Sequence, residues 1–150
     1  MAKALKRLDS RRALSQNRKG AAAVEFALVA PILFLVIILP LVEFGRALIA
    51  NELVANAARA GCRVAVLRGT DNATINSTVN TALSSQGISG GATITVLVNG
   101  SVANASTANQ GDTISVTVAI PYNNVSWLPT GTSYFMKNKT LATTHLMRRE

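Results

Sequence analysis

The residue with the clearest chemical demand is Glu25. Its carboxylate stands at the entrance to Phe26–Val42, a run of 17 residues without a charged side chain. An ionised carboxylate in apolar surroundings is strongly disfavoured unless a cation pairs with it. Other candidates for chemistry are few. Cys62 is the only cysteine, so no intrachain disulfide forms. It reads as a small apolar residue on a helix face, with an intermolecular disulfide as the sharper alternative. His145 is the only histidine, which leaves no Cys/His metal site. Outside the leader and the long N-terminal helix the acids are Asp71, Asp112 and Glu150, and Asp112 in Gly111-Asp112-Thr113 reads as a turn leading into a strand. No nucleophile–base–acid set and no phosphate-binding glycine loop emerges, so no enzyme, cofactor or metal is expected. The N-x-S/T triplets starting at Asn72, Asn76, Asn99, Asn104, Asn124 and Asn138 follow from an Asn/Thr-rich composition and do not argue for glycans.

The elements that must position Glu25 are a basic leader and an apolar helix. Residues 1–20 carry Lys3, Lys6, Arg7, Arg11, Arg12, Arg18 and Lys19 against Asp9 alone, six of the eight net positive charges. The remaining residues are nearly neutral. No aromatic residue interleaves the basic block, so nucleic-acid binding is not expected. A hydrocarbon core of ~30 Å needs roughly 20 apolar residues as helix. Phe26–Val42, extended back to Ala21, is long enough to span a bilayer. Positive charge before a span stays cytoplasmic. The topology expected is therefore a cytoplasmic N-terminus and an extracytoplasmic C-terminal domain. Pro31 and Pro40 lie inside the run and each removes an amide donor. A mild kink or a point of local melting both fit them.

Three readings of the leader compete. Secretory cleavage after the apolar run fits poorly, because Glu43-Phe44-Gly45-Arg46 follows directly and the nearest A-x-A is Ala55-Asn56-Ala57. An uncleaved single-pass anchor, carrying an outer domain that binds a ligand or partner, is the second. The third is processing ahead of the run. Gly20-Ala21-Ala22-Ala23-Val24-Glu25-Phe26 resembles the G-x-x-x-x-E-F/Y signature of type IV pilin-like precursors. The continuation is similar to the TadE-like family, minor pseudopilins of the bacterial tight-adherence (Tad/Flp) pilus. The matching features are the VEFALV block, Pro31, Glu43 with Phe44, the helix holding Ala57, Ala58, Arg59, Ala60 and Arg63, and the close on Met147-Arg148-Arg149-Glu150.

The resemblance implies cleavage between Gly20 and Ala21 by a membrane-embedded prepilin peptidase, partners among other pilin-type subunits and the Tad assembly platform, and residence in the cytoplasmic membrane. The physical reading agrees with it. Gly20 lacks a Cβ and is expected to interrupt the helix between leader and span. Cutting there gives Ala21 a free amine, and Glu25 follows four residues later, about one helical turn. The amine of one helix can then pair with Glu25 of the next, and Phe26 opens the packing surface. Snorkelling of Glu25 to the headgroups is the alternative.

Downstream, Leu48, Ile49, Leu53, Ala57, Ala60, Val64 and Leu67 recur at three- and four-residue steps. Glu43, Arg46, Asn51, Glu52, Asn56, Arg59 and Arg63 occupy the polar positions. The helix is expected to run to Leu67 or Arg68 and stop at Gly69, with Gly45 and Gly61 as bends. Thr70-Asp71 predicts the start of a second helix over 72–86. Strands are predicted at Ala92–Val98, joined to a weak edge by the Asn99-Gly100 turn, at Thr113–Ile120, and at Lys139–Arg148. A loop over 122–136 holds Trp127, Pro129, Tyr134 and Phe135. The organisation expected is a leader (1–20), a membrane-spanning and assembly helix (21–69) and an extracytoplasmic α+β domain (70–150). The fold class expected is pilin-like, a long N-terminal helix packed on a small antiparallel sheet.

Overall fold

The computed structural model describes residues 2–88, 90–126 and 138–150, with side chains from residue 20 onward. The predicted loop residues Trp127, Pro129, Tyr134 and Phe135 lie outside the described residues. The chain is α+β and pilin-like. Helix α1 (Ala2–Ala65) is followed by α2 (Asn72–Ser84) and by strands β1 (Thr93–Val98), β2 (Ser101–Val102), β3 (Thr113–Pro121) and β4 (Thr140–Arg148). The four strands form one antiparallel sheet in the order β2-β1-β3-β4. Two compact units divide between Leu41 and Val42.

The first unit is helix, and α1 runs unbroken through Gly20. The expected interruption is absent, since one glycine in a helix costs only about 1 kcal/mol relative to alanine. Pro31 and Pro40 also lie within α1.

In the second unit α1 lies over the sheet, and its buried face differs from the one expected. Glu43, Ala47, Ala50, Val54, Ala57, Ala58, Cys62 and Ala65 are buried, while Leu48, Ile49 and Leu67 are exposed. The inward stripe is built from small residues because the backbone approaches its neighbours closely. A Cβ added at Gly61 would stand 2.5 Å from Val79 Cγ2 and 3.5 Å from Ile75 Cγ2 and Val116 Cγ1. Gly61 is therefore a packing residue, and α1 continues through it and through Gly45. The helix ends at Ala65, slightly earlier than expected, and a turn reaches Gly69, whose φ of +80° suits a residue without Cβ.

The Asp71 side chain caps α2, accepting from Thr74 N at 2.9 Å and Thr74 Oγ1 at 2.6 Å. Ile75, Val79 and Leu83 form its buried face. At the hairpin Asn99 and Gly100 take φ of 50° and 84°, the left-handed pair of a two-residue turn. Strand β3 buries Ile114, Val116, Val118 and Ile120 beneath α1. Its other face is polar and small, with Thr117 Oγ1 and Thr144 Oγ1 2.7 Å apart across the β3–β4 pair.

Gly61→Ala should destabilise the protein by about 1–3 kcal/mol through overpacking. Gly45→Ala, whose added Cβ meets nothing within 4 Å, should be neutral or stabilising by up to about 1 kcal/mol. Thermal unfolding of the two variants checks the contrast.

Candidate functional site

The candidate site lies on the first unit. Gly20 and Ala21 are exposed on α1, and a Cβ at Gly20 would meet nothing within 4 Å. Glu25 is also exposed and makes no hydrogen bond or ion pair among the described residues. Phe26 is 73 % exposed, and Val29, Leu33, Val36, Ile37 and Leu41 are exposed on the turns that follow. This is the one described helix long and apolar enough to cross a membrane. Its most apolar window has a mean hydropathy of 2.7, with none of that window buried within the chain. At 1.5 Å per residue, Phe26–Val42 rises about 26 Å, close to the ~30 Å hydrocarbon thickness. Gly20, Ala21, Glu25 and Phe26 fall within two turns of α1, at the entrance to the apolar run. Pro31 and Pro40 interrupt the amide ladder further along, and Val42 is half-exposed at its end.

The second unit holds polar contacts that composition and periodicity missed. Arg149 is only 4 % exposed and donates to three carbonyls: Ala105 O at 2.8 Å and Ala108 O at 2.9 Å from Nη1, and Leu67 O at 2.7 Å from Nη2. Its backbone is fixed as well, Arg149 N donating to Asp112 O and Gly111 N to Arg149 O, each at 2.8 Å. One side chain thus ties the turn after α1 to the loop after β2. No spacing rule would reveal it, because its acceptors come from separate segments and are main-chain atoms.

A second set of contacts fixes the first turns of α1 in this unit. Tyr122 is fully buried and its hydroxyl donates to Glu43 O at 2.9 Å. Arg46 Nε donates to Val125 O at 2.9 Å. Burial raises the Tyr122 phenol above its ordinary range, and the neighbouring Glu43 carboxylate pushes the same way. Glu43 itself is 4 % exposed, although the three- and four-residue spacing put it on the polar side.

Cys62 is buried, its thiol directed at Ile114 O at 3.7 Å and His145 O at 3.6 Å. Burial pushes its pKa up, so it is the unreactive form of a cysteine in the folded chain. An intermolecular disulfide would require α1 to leave the sheet. Asp112 is a turn residue, accepting from Asn99 Nδ2 at 2.8 Å and Asn109 N at 2.7 Å. Among the described residues no group of three or more His, Cys, Asp or Glu is placed to hold a metal.

Residues 20–63 match the model of the TadE-like protein family. No curated protein and no solved structure matches the chain. The matched segment contains Gly20, Ala21, Glu25, Phe26 and the apolar run, and it continues through Gly61 and Cys62 of the small-residue stripe. Over this segment the chain is similar to TadE-like proteins.

Arg149→Met should destabilise the protein by on the order of 3 kcal/mol, because one buried and two half-buried carbonyls lose a charged donor. Tyr122→Phe should cost about 1 kcal/mol, one neutral hydrogen bond. Denaturant unfolding in detergent checks both. Hydrogen bonds from Thr74 hold the Asp71 carboxyl below its ordinary range, and those from Asn99 and Asn109 do so for Asp112. Their contribution to stability is complete above the unfolded carboxylate value and is lost as pH falls through the lowered folded values. The difference in stability between the parent chain and Asp71→Ala should shrink on acidification, as an acid titration followed by circular dichroism would show.

Proposed function

We propose that this chain is a minor pseudopilin of a Tad pilus. It enters the cytoplasmic membrane through Phe26–Val42, N-terminus inside, and residues 70–150 form its extracytoplasmic domain. Prepilin peptidase cuts between Gly20 and Ala21, removing residues 1–20. Residues 21–69 then serve as the membrane-spanning and assembly helix, delivered to other pilin subunits by the Tad assembly platform for pilus assembly, surface adhesion or secretion. The observation that carries the reading is Glu25, exposed and without a partner among the described residues, at the mouth of an exposed apolar run inside the TadE-like segment.

The chemistry follows from charge. Before processing, the α-amine belongs to Met1, far from Glu25 in sequence, and the closest side-chain amine is that of Lys19, which processing removes. Afterwards the amine of Ala21 lies four residues from Glu25, about 6 Å along the helix axis. An ammonium and a carboxylate that meet at the edge of the hydrocarbon relieve each other's desolvation. When the two belong to neighbouring helices, the pair sets their relative height. A carboxylate in the first turn of the shortened helix is also favoured by the helix dipole.

One observation favours a second reading, an uncleaved membrane anchor with a binding domain outside. The helix runs through Gly20, and a helical bond does not present the extended backbone that a peptidase binds. Processing then requires local unwinding, for which glycine is the most permissive residue. Intact-mass analysis of the membrane fraction, with and without a prepilin peptidase, separates the readings. The proposal expects a chain beginning at Ala21 only when the peptidase is present. A chain beginning at Met1 under both conditions supports the anchor. Glu25→Ala should be cut normally.

A further inference from the structure

The sheet ends on two very different edges. Strand β2 covers one side with only two residues. Strand β4 forms the other with nine, paired to β3 from Thr113↔Arg148 to Pro121↔Thr140 without a bulge. It contains no proline. Asn99 N donates to Thr113 O at 2.9 Å, so odd-numbered residues of β3 direct their amides and carbonyls toward β1. Even-numbered residues of β3 therefore serve β4 through Leu141, Thr143, His145 and Met147. The amides and carbonyls of Ala142, Thr144 and Leu146 point away from the sheet, and among the described residues no strand pairs with them. A long, regular strand with one row of open donors and acceptors is a template for another strand.

The C-terminal end of this edge opens into a groove of about 620 Å³ lined by Val66, Leu67, Arg68, Met147, Arg148 and Glu150. Arg148 Nε donates to Gly111 O at 3.0 Å. Among the described residues its remaining guanidinium donors and those of Arg68 have no partner. Glu150 is the one anion of the lining, against two cations. We propose that β4 and this groove dock an extended polypeptide of a partner protein, antiparallel to β4, with acidic side chains at the partner strand's N-terminal end. Antiparallel addition continues the pairing of the whole sheet and puts that end beside Arg68 and Arg148. A second copy fits poorly, because antiparallel pairing of β4 with itself would set Arg148 of each chain beside Lys139 and Thr140 of the other. The surface belongs to the second unit, and its use does not depend on processing at Gly20.

The test uses the full chain in detergent and a fluorescent, N-acetylated probe peptide, Asp-Glu-Thr-Val-Thr-Val-Thr-Val, read by anisotropy. Saturable binding is expected, at least tenfold weaker for Ala142→Pro, which removes one outward amide and leaves the β3 pairing intact. The paired change Arg68→Glu and Arg148→Glu should weaken binding at least tenfold. A peptide with its acidic pair moved to the C-terminal end should bind at least fivefold less tightly. If Ala142→Pro does not fold by circular dichroism, the arginine variant and the two peptides decide. No saturable binding, equal binding of the two peptides, or undiminished binding by the arginine variant overturns the proposal. So does a folded Ala142→Pro that binds the probe as the parent does, or self-association of the parent that Ala142→Pro abolishes.

Discussion

The close approach of α1 to its neighbours at Gly61 is the constraint on which the second unit depends. Only a residue without Cβ fits where Val79, Ile75 and Val116 converge. The alanines at 47, 50, 57, 58 and 65 extend the same logic along the helix. Small side chains inward allow short backbone distances, and dense packing supplies the dispersion energy that their limited apolar area lacks. The consequence appears on the opposite side. Phe44, Leu48 and Ile49 are left exposed, because the inward positions have no room for them. The helix therefore presents bulky apolar groups away from its own domain, a surface suited to lipid or to other helices.

Close packing of small residues is easily lost by sliding, and two polar contacts oppose that. Tyr122 holds the carbonyl of Glu43 near the start of the packed segment, and Arg149 holds that of Leu67 just beyond its end. Between them the thiol of Cys62 reaches the carbonyls of Ile114 and His145. The acceptors at both ends are main-chain atoms, so the contacts fix helix position without specifying side chains there.

This division explains what was legible beforehand. Local chemistry could be read directly. Asp71 is an N-cap, Asn99-Gly100 makes the left-handed turn, and the alternation of Thr113–Ile120 gives a strand whose even positions are buried. The length of Phe26–Val42 and the placement of Glu25 needed only counting. What was illegible involved distant partners or competition between surfaces. Hydrophobicity put Leu48 and Ile49 in the core, whereas the space available selected alanine and glycine. Arg149 looked like one more basic residue, because its acceptors are carbonyls from elsewhere in the chain. Glycine at position 20 suggested a break, yet a single glycine between two good helical stretches does not make one.

Under the proposed function the charge pattern ahead of the apolar run organises contacts with other chains, and its central claim is that cleavage creates the cation that the Glu25 carboxylate meets. A carbodiimide, which joins an amine to a carboxylate only at contact distance, tests it in membranes that assemble the pilus. Mass spectrometry of the digest should find Glu25 amide-linked to the N-terminal amine of a processed pilin-type subunit, and should lose that product when the peptidase is absent. Finding Glu25 unlinked while the processed amines couple to other carboxylates would contradict the account.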